Sequence, residues 1–208
     1  MLFRSANARA AEDRLKIELS VCKEGAVTGT NGVAGRQPLL NAPKSYEVLV
    51  AAELIYRTAL APEWLDYNGH LRDAYYGLIA SYACDALMDR LHLDAAYRER
   101  TRNTLYTVEM HVHYLREMKK DDVALVNVRM LGADQKRIHA AFDVFREGDP
   151  DATASVELML LHVNQGETVK TAAFPPQVAD AIAALVATTA GAPEVGPGSR
   201  RMELPRRR

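Results

Sequence analysis

Between Glu63 and Tyr76 the chain reads EWLDYNGHLRDAYY, and the residue types in this stretch could do chemistry together. Asp66 supplies a carboxylate, His70 an imidazole, and Asn68-Gly69 a dipeptide that favours a tight turn. A carboxylate can attack a carbonyl directly or take a proton from water. The oxyanion formed by such an attack needs donors, and a helix starting at Asp73 would provide them. Its first N–H groups have no partner inside the helix and carry partial positive charge. A carboxylate beside free amides describes acyl transfer without serine or cysteine. The plain structural reading stands next to it: Asp66 bonds its own turn, and Asp73 caps the helix.

The elements that must hold these groups are legible as patterns. After Asp73, residues Tyr75, Leu78, Ile79, Tyr82, Ala86 and Leu87 recur at helical spacing. No charged residue lies between Asp73 and Asp85, so this helix has almost no solvent face in its first three turns and must be wrapped by something else. Gly77, Ala80, Ala83 and Ala86 would allow close approach. YEVLVAAELIYRTAL, from Tyr46, is rich in β-branched and aromatic residues and predicts a first strand, ended by Pro62 and Asn68-Gly69. Downstream, TLYTVEMHVHYLREM, VALVNVRMLGA, RIHAAFDVFRE and TASVELMLLHVNQ read as four strands separated by KKDD, ADQK and GDPDA. Short connections predict that consecutive strands are antiparallel neighbours. The expected class is α+β, a curved antiparallel sheet wrapped around a long central helix. QVADAIAALVATTA, after Pro175-Pro176, predicts a closing helix.

Totals bound the rest. With 208 residues, one domain with extensions fits better than two. We expect a leader or linker over 1–45, a domain over 46–190 and a disordered tail over 191–208. The glycines Gly29, Gly32 and Gly35 lack the dinucleotide-binding spacing. A formal net charge of -1 gives no electrostatic pull toward nucleic acid or an anionic membrane. Cys22 and Cys84 do not form a disulfide framework, and neither a signal segment nor an apolar run of about 20 residues is present. Two free thiols in the cytoplasm are expected.

The order strand, D-x-N-G-H, buried helix, four strands resembles the hotdog-fold acyl-CoA thioesterases of the 4-hydroxybenzoyl-CoA thioesterase type, over about Tyr46 to Ala179. Within that group WLDYNGHLRDAYY, YACDALMDRL, LYTVEMHVHYL, LGADQKRIH and MLLHV are similar to betainyl-CoA thioesterases, including the domain fused to some carnitine dehydrogenases. The resemblance implies a hotdog fold, Asp66 as nucleophile or general base, and an oxyanion donor in the backbone amide near Asp73. It also implies that Asn68, Gly69 and His70 shape the loop presenting the thioester, and that the chain pairs as a homodimer or higher oligomer with sites at the subunit interface. Acyl-CoA is the implied substrate, with coenzyme A part of it and no separate cofactor.

Other residues are weighed against plain roles. Glu109, His111 and His113 share one strand face. They could ligate a metal, line a polar sheet or dimer face, or let Glu109 reach the acyl group. No metal is expected. A betainyl group carries a quaternary ammonium, for which Trp64, Tyr67, Tyr106 and Tyr114 are candidate aromatic partners beside a role as core. His70 could serve as acid or base, though after Asn-Gly it is better placed to fix the loop. His162 reads as a satisfied strand histidine, and Cys84 has no activating context. Lys136 and Arg137 sit at a turn where they could meet coenzyme A phosphates or do nothing specific. The expected function is hydrolysis of a short acyl-CoA, with betainyl-CoA the candidate; the alternatives are a non-catalytic acyl-CoA-binding protein and a hotdog dehydratase using His70.

Overall fold

The computed structural model describes residues 52–198. The expected leader, the beginning of the first strand run, and the tail beyond 198 lie outside the described residues. Within them the chain runs β1 (Glu53–Ala59), a 3-10 turn (Pro62–Trp64), α1 (Asp73–Arg90), α2 (Ala95–Thr101), β2 (Asn103–Tyr114) and β3 (Val123–Ala133). It continues with β4 (Arg137–Arg146), β5 (Ala152–Gln165), β6 (Val169–Thr171) and α3 (Pro176–Thr189).

All strand pairs are antiparallel, in the order β1-β3-β4-β5-β2, with β6 on β5. Consecutive strands are neighbours from β3 to β5, as expected, but β2 is not beside β3. It pairs with β5 at the other edge, leaving β3 free to take β1. The reason is that residues 115–122 do not make a hairpin. They bond back to the loop before α1, and so carry the chain across the end of the helix.

Alternate residues of the central strands build the core. Val126 and Val128 of β3, Ala140, Phe142 and Val144 of β4, and Val156, Leu158 and Leu160 of β5 are almost fully buried. Against them α1 buries Tyr76, Ile79, Ala80, Ala83, Leu87 and Met88. At about 27 Å long, this helix touches β1 and β2, the two edges of the main sheet, as well as β4 and β5 between them. Only a sheet that curves around the helix reaches it from both edges. This is the hotdog arrangement.

On the opposite sheet face Arg129 and Asp143 pair in near-complete burial, and Ser155 Oγ donates to Asp143 Oδ1 at 2.6 Å. Two elements had no counterpart in the sequence reading. Helix α2 begins at Asp94, whose side chain accepts from Tyr97 N at 2.7 Å, and stops at Arg102 with φ 59°. Strand β6 has only three residues. Helix α3 buries Val178, Ile182, Leu185 and Thr189 along one side. The described part of the expected tail, 191–198, is irregular, and Gly196 lies against Leu115, His113 and Ser155.

Candidate active site

The D-x-N-G-H segment folds into a small closed hairpin. Leu65 bridges Leu71, Asp66 N donates to His70 O at 2.8 Å, and Gly69 N donates to Asp66 O at 3.0 Å. Gly69 sits at φ 78°, a left-handed conformation that other L residues adopt at a cost, which is why the turn uses Asn-Gly. Asp66 Oδ1 accepts from Asn68 N at 2.8 Å and from His70 N at 2.9 Å. The structural reading of Asp66 as a turn aspartate therefore holds, and it does not displace the chemical one. Among the described residues nothing bonds the second oxygen, Oδ2. Donation from the His70 and Asn68 amides, helped by the nearby His70 and Arg72 side chains, outweighs partial desolvation and holds the carboxyl below the ordinary aspartate value of 3.8. Asp66 is thus an anion across the physiological range.

The connection from β2 to β3 clamps this hairpin from outside. Leu71 N donates to Met118 O at 2.8 Å, Lys120 N donates to Gly69 O at 2.9 Å, and His70 bridges Lys119. His70 Nε2 lies 3.3 Å from Glu117 Oε2, so its ring is anchored outward on that connection. Tyr76 fixes the connection to α1: its hydroxyl donates to Arg116 O at 3.3 Å and accepts from Met118 N at 3.2 Å.

Three residues after His70, α1 begins. Asp73 does start the helix, but it is not the cap. The cap position is Arg72, whose side chain makes no capping bond and instead donates through Nε to Leu65 O. The Asp73 carboxylate accepts from Ala74 N at 2.9 Å, and Tyr75 N donates to Arg72 O. No acceptor among the described residues takes the Asp73 N–H. An ionised carboxylate with one unengaged oxygen therefore lies a short hairpin away from an uncapped helix N-terminus that keeps a free donor. Tyr114, from the end of β2, donates to Asp73 O at 3.2 Å and packs edge-on against Tyr76.

The remaining candidates are dispersed. Trp64 stacks with Tyr75 and with Tyr82, with centroids 5.8 and 6.5 Å away. Tyr67, at the hairpin tip, is 95% exposed. Tyr106 lies eight residues before Tyr114 on β2, about 26 Å along an extended strand, and its hydroxyl accepts from Gln165. Within one chain it does not reach Asp66. Glu109 is likewise far along β2 and pairs with His111 at 2.8 Å. The Nε2 of His113 is buried, with no hydrogen-bond partner among the described residues. Among the described residues no group of three His, Cys, Asp or Glu side chains could hold a metal ion.

Cys84 is buried, and burial followed by the Asp85 charge pushes its thiol up to about 12, which removes it as a nucleophile. His162 is fully buried and satisfied, as read: Nδ1 lies 2.9 Å from Ala172 O and Nε2 lies 3.1 Å from Tyr97 Oη. Arg137 is paired with Asp134, and the turn that carries it and Lys136 is at the end of β3 opposite the Asp66 hairpin. A hollow of about 680 Å³ lies there, between that turn and α3. Sequence reasoning missed Glu117 and Tyr76 as members of the site's scaffold. Glu117 carried no signal, because nothing local shows that the connection returns to the hairpin; Tyr76 was masked by its place in an apolar helix.

Comparison with known proteins agrees with this fold. The family model of the Thioesterase-like superfamily matches residues 60–182. A betainyl-CoA thioesterase from Pseudomonas aeruginosa is 45% identical over 109 residues, covering 52% of this chain and 69% of the relative. The crystal structure of a candidate thioesterase from Pseudomonas putida KT2440 is 40% identical and superposes with a TM-score of 0.66, covering 74% of this chain and 97% of that one. A hypothetical protein from Staphylococcus aureus, solved in complex with CoA, is 26% identical with the same TM-score of 0.66 and the same coverage, 74% and 97%.

Proposed function

Since the chain belongs to the Thioesterase-like superfamily, and is a thioester hydrolase acting on acyl-CoA, we propose that its acyl group is betainyl and that Asp66 attacks the thioester carbonyl. The observation that carries the assignment is the pairing of an ionised Asp66, with Oδ2 unengaged, and an uncapped α1 N-terminus that retains the Asp73 N–H. Attack on the carbonyl carbon would place negative charge on the thioester oxygen, which the Asp73 amide would hold. The C–S bond then breaks, coenzyme A leaves as thiolate and takes up a proton, and water hydrolyses the acyl-aspartyl anhydride to the free acid. A depressed pKa favours direct attack over general-base work, since a weak base takes a proton from water poorly while its anion is always present. The betainyl assignment is supported by the similarity to the Pseudomonas aeruginosa enzyme.

The site would be completed by a second copy of the chain. Strand β2 is a twelve-residue sheet edge with Val108, Met110 and Tyr114 exposed, and a long apolar edge is a template for pairing with another strand. The uncharged first turns of α1 also leave Tyr82 40% exposed, a face that a partner would cover. We place the protein in the cytoplasm, which suits a free buried Cys84 thiol; among the described residues no helix is long and apolar enough to cross a membrane.

Free-thiol release from betainyl-CoA beside acetyl-, longer aliphatic and aromatic acyl-CoAs tests the reading. Betainyl-CoA is expected to have the highest kcat/KM. A better aliphatic or aromatic substrate would remove the acyl assignment, and thiol release from none of them would remove hydrolysis in favour of ligand binding.

A further inference from the structure

We propose that Tyr67 is the aromatic face that meets the quaternary ammonium of the acyl group, and that it sets the preference for a betainyl over a neutral acyl-CoA; this rests on the substrate reading above. The trimethylammonium nitrogen of a betainyl thioester is only two bonds from the carbonyl carbon. A nucleophile attacks from about 3 to 3.5 Å, and a cation gains from an aromatic ring within about 6 Å of its centroid. The receiving ring must therefore stand immediately beside Asp66.

The structure disposes of the other candidates. Trp64 is already engaged in stacking, with Tyr75 and with Tyr82. Tyr82 also packs on Tyr56, at 6.1 Å. Tyr114 packs edge-on to Tyr76 with its hydroxyl fixed on Asp73 O. Tyr106 is held near Gln165, toward the far end of β2. Tyr67 directly follows Asp66 in the chain, and its ring is 95% exposed with both faces open.

Its backbone is nevertheless well fixed. The Asp66 carboxylate bonds the amides on either side of the turn, and the 117–120 connection holds the hairpin from outside. A fixed backbone at the tip leaves only the two side-chain torsions of the ring to be ordered on binding. The local charge includes the Asp66 anion, which suits a cation, while the nearby Arg72 guanidinium is held on Leu65 O.

The test compares kcat/KM for betainyl-CoA and 3,3-dimethylbutyryl-CoA, a carbon isostere of similar shape without the charge, in wild type, Tyr67→Phe and Tyr67→Leu. Tyr67→Leu is expected to lower the betainyl-to-dimethylbutyryl ratio by about three- to thirtyfold, and Tyr67→Phe to keep it within about twofold, because the ring and not the hydroxyl is required. An unchanged ratio in Tyr67→Leu, with both substrates still turned over, would overturn the role of Tyr67 alone. Loss of the ratio in Tyr67→Phe as large as in Tyr67→Leu would overturn the cation-face account. Wild type that hydrolyses dimethylbutyryl-CoA but not betainyl-CoA would overturn the substrate reading and this inference with it.

Discussion

Asp66 commits one oxygen to its own turn and leaves the other unengaged, and both facts bear on how it works. The two backbone donors stabilise the anion, so the carboxylate titrates below 3.8. The expected consequence is that kcat/KM, measured between pH 8 and pH 5, shows no acid limb that depends on Asp66; such a limb near pH 5 would mean that the turn does not hold the anion. His162 behaves in the opposite sense for stability. Burial depresses its pKa below 6.5, so the folded state holds the neutral ring while the unfolded chain still accepts a proton near 6.5. Its contribution is fully present above pH 6.5 and is lost as pH falls below that toward the folded-state value. Denaturant unfolding of wild type should show stability falling between pH 7 and pH 5, with a shallower fall in His162→Gln. Equal slopes would show that another group carries the acid sensitivity. At this scale the sequence was informative, because Asp66, Gly69 and His162 announce themselves by type and neighbours; Glu117 does not.

The hairpin before α1 matters as an element because it is held on two sides, by its own ladder and by residues 117–120. Gly69 is the point where that geometry is most demanding, at φ 78° with open space around its Cβ position. Gly69→Ala therefore meets no clash, only the cost of the left-handed conformation, about 1 to 2 kcal/mol. In a chain of this size that corresponds to roughly 2 to 8 °C in Tm. Thermal melts should show such a drop, accompanied by a fall in kcat as the turn relaxes. A variant with unchanged kcat would show that the turn's conformation is not what positions Asp66. The helix was readable because the uncharged run after Asp73 can only be a wrapped element. The place of β2 was not readable: an eight-residue connection containing KKDD reads equally well as a hairpin turn, and only the tertiary bonds from 118 and 120 to the hairpin reveal a crossing. Helix α2 could have been found from Asp94 as a cap and the basic residues Arg98 and Arg100 in its last turn.

For the whole molecule, the hotdog arrangement places the Asp66 hairpin at one end of α1 and, among the described residues, leaves β2 as a long free edge. Pairing through that edge should make the active species a dimer. Val108, 55% exposed at the bulge of β2, is a position where a lysine would oppose edge pairing without entering the core. Light scattering should find wild type dimeric and Val108→Lys shifted toward monomer with reduced thiol release; a monomeric and fully active wild type would contradict assembly through β2. The central claim remains that Asp66 performs the chemistry. Thiol release from betainyl-CoA by wild type and Asp66→Asn, with binding of coenzyme A measured on both, tests it most directly. The amide keeps an oxygen to accept from the turn amides but cannot attack, so kcat is predicted to fall by at least about a hundredfold while coenzyme A binding stays the same. Retention of most of kcat in Asp66→Asn would contradict the account.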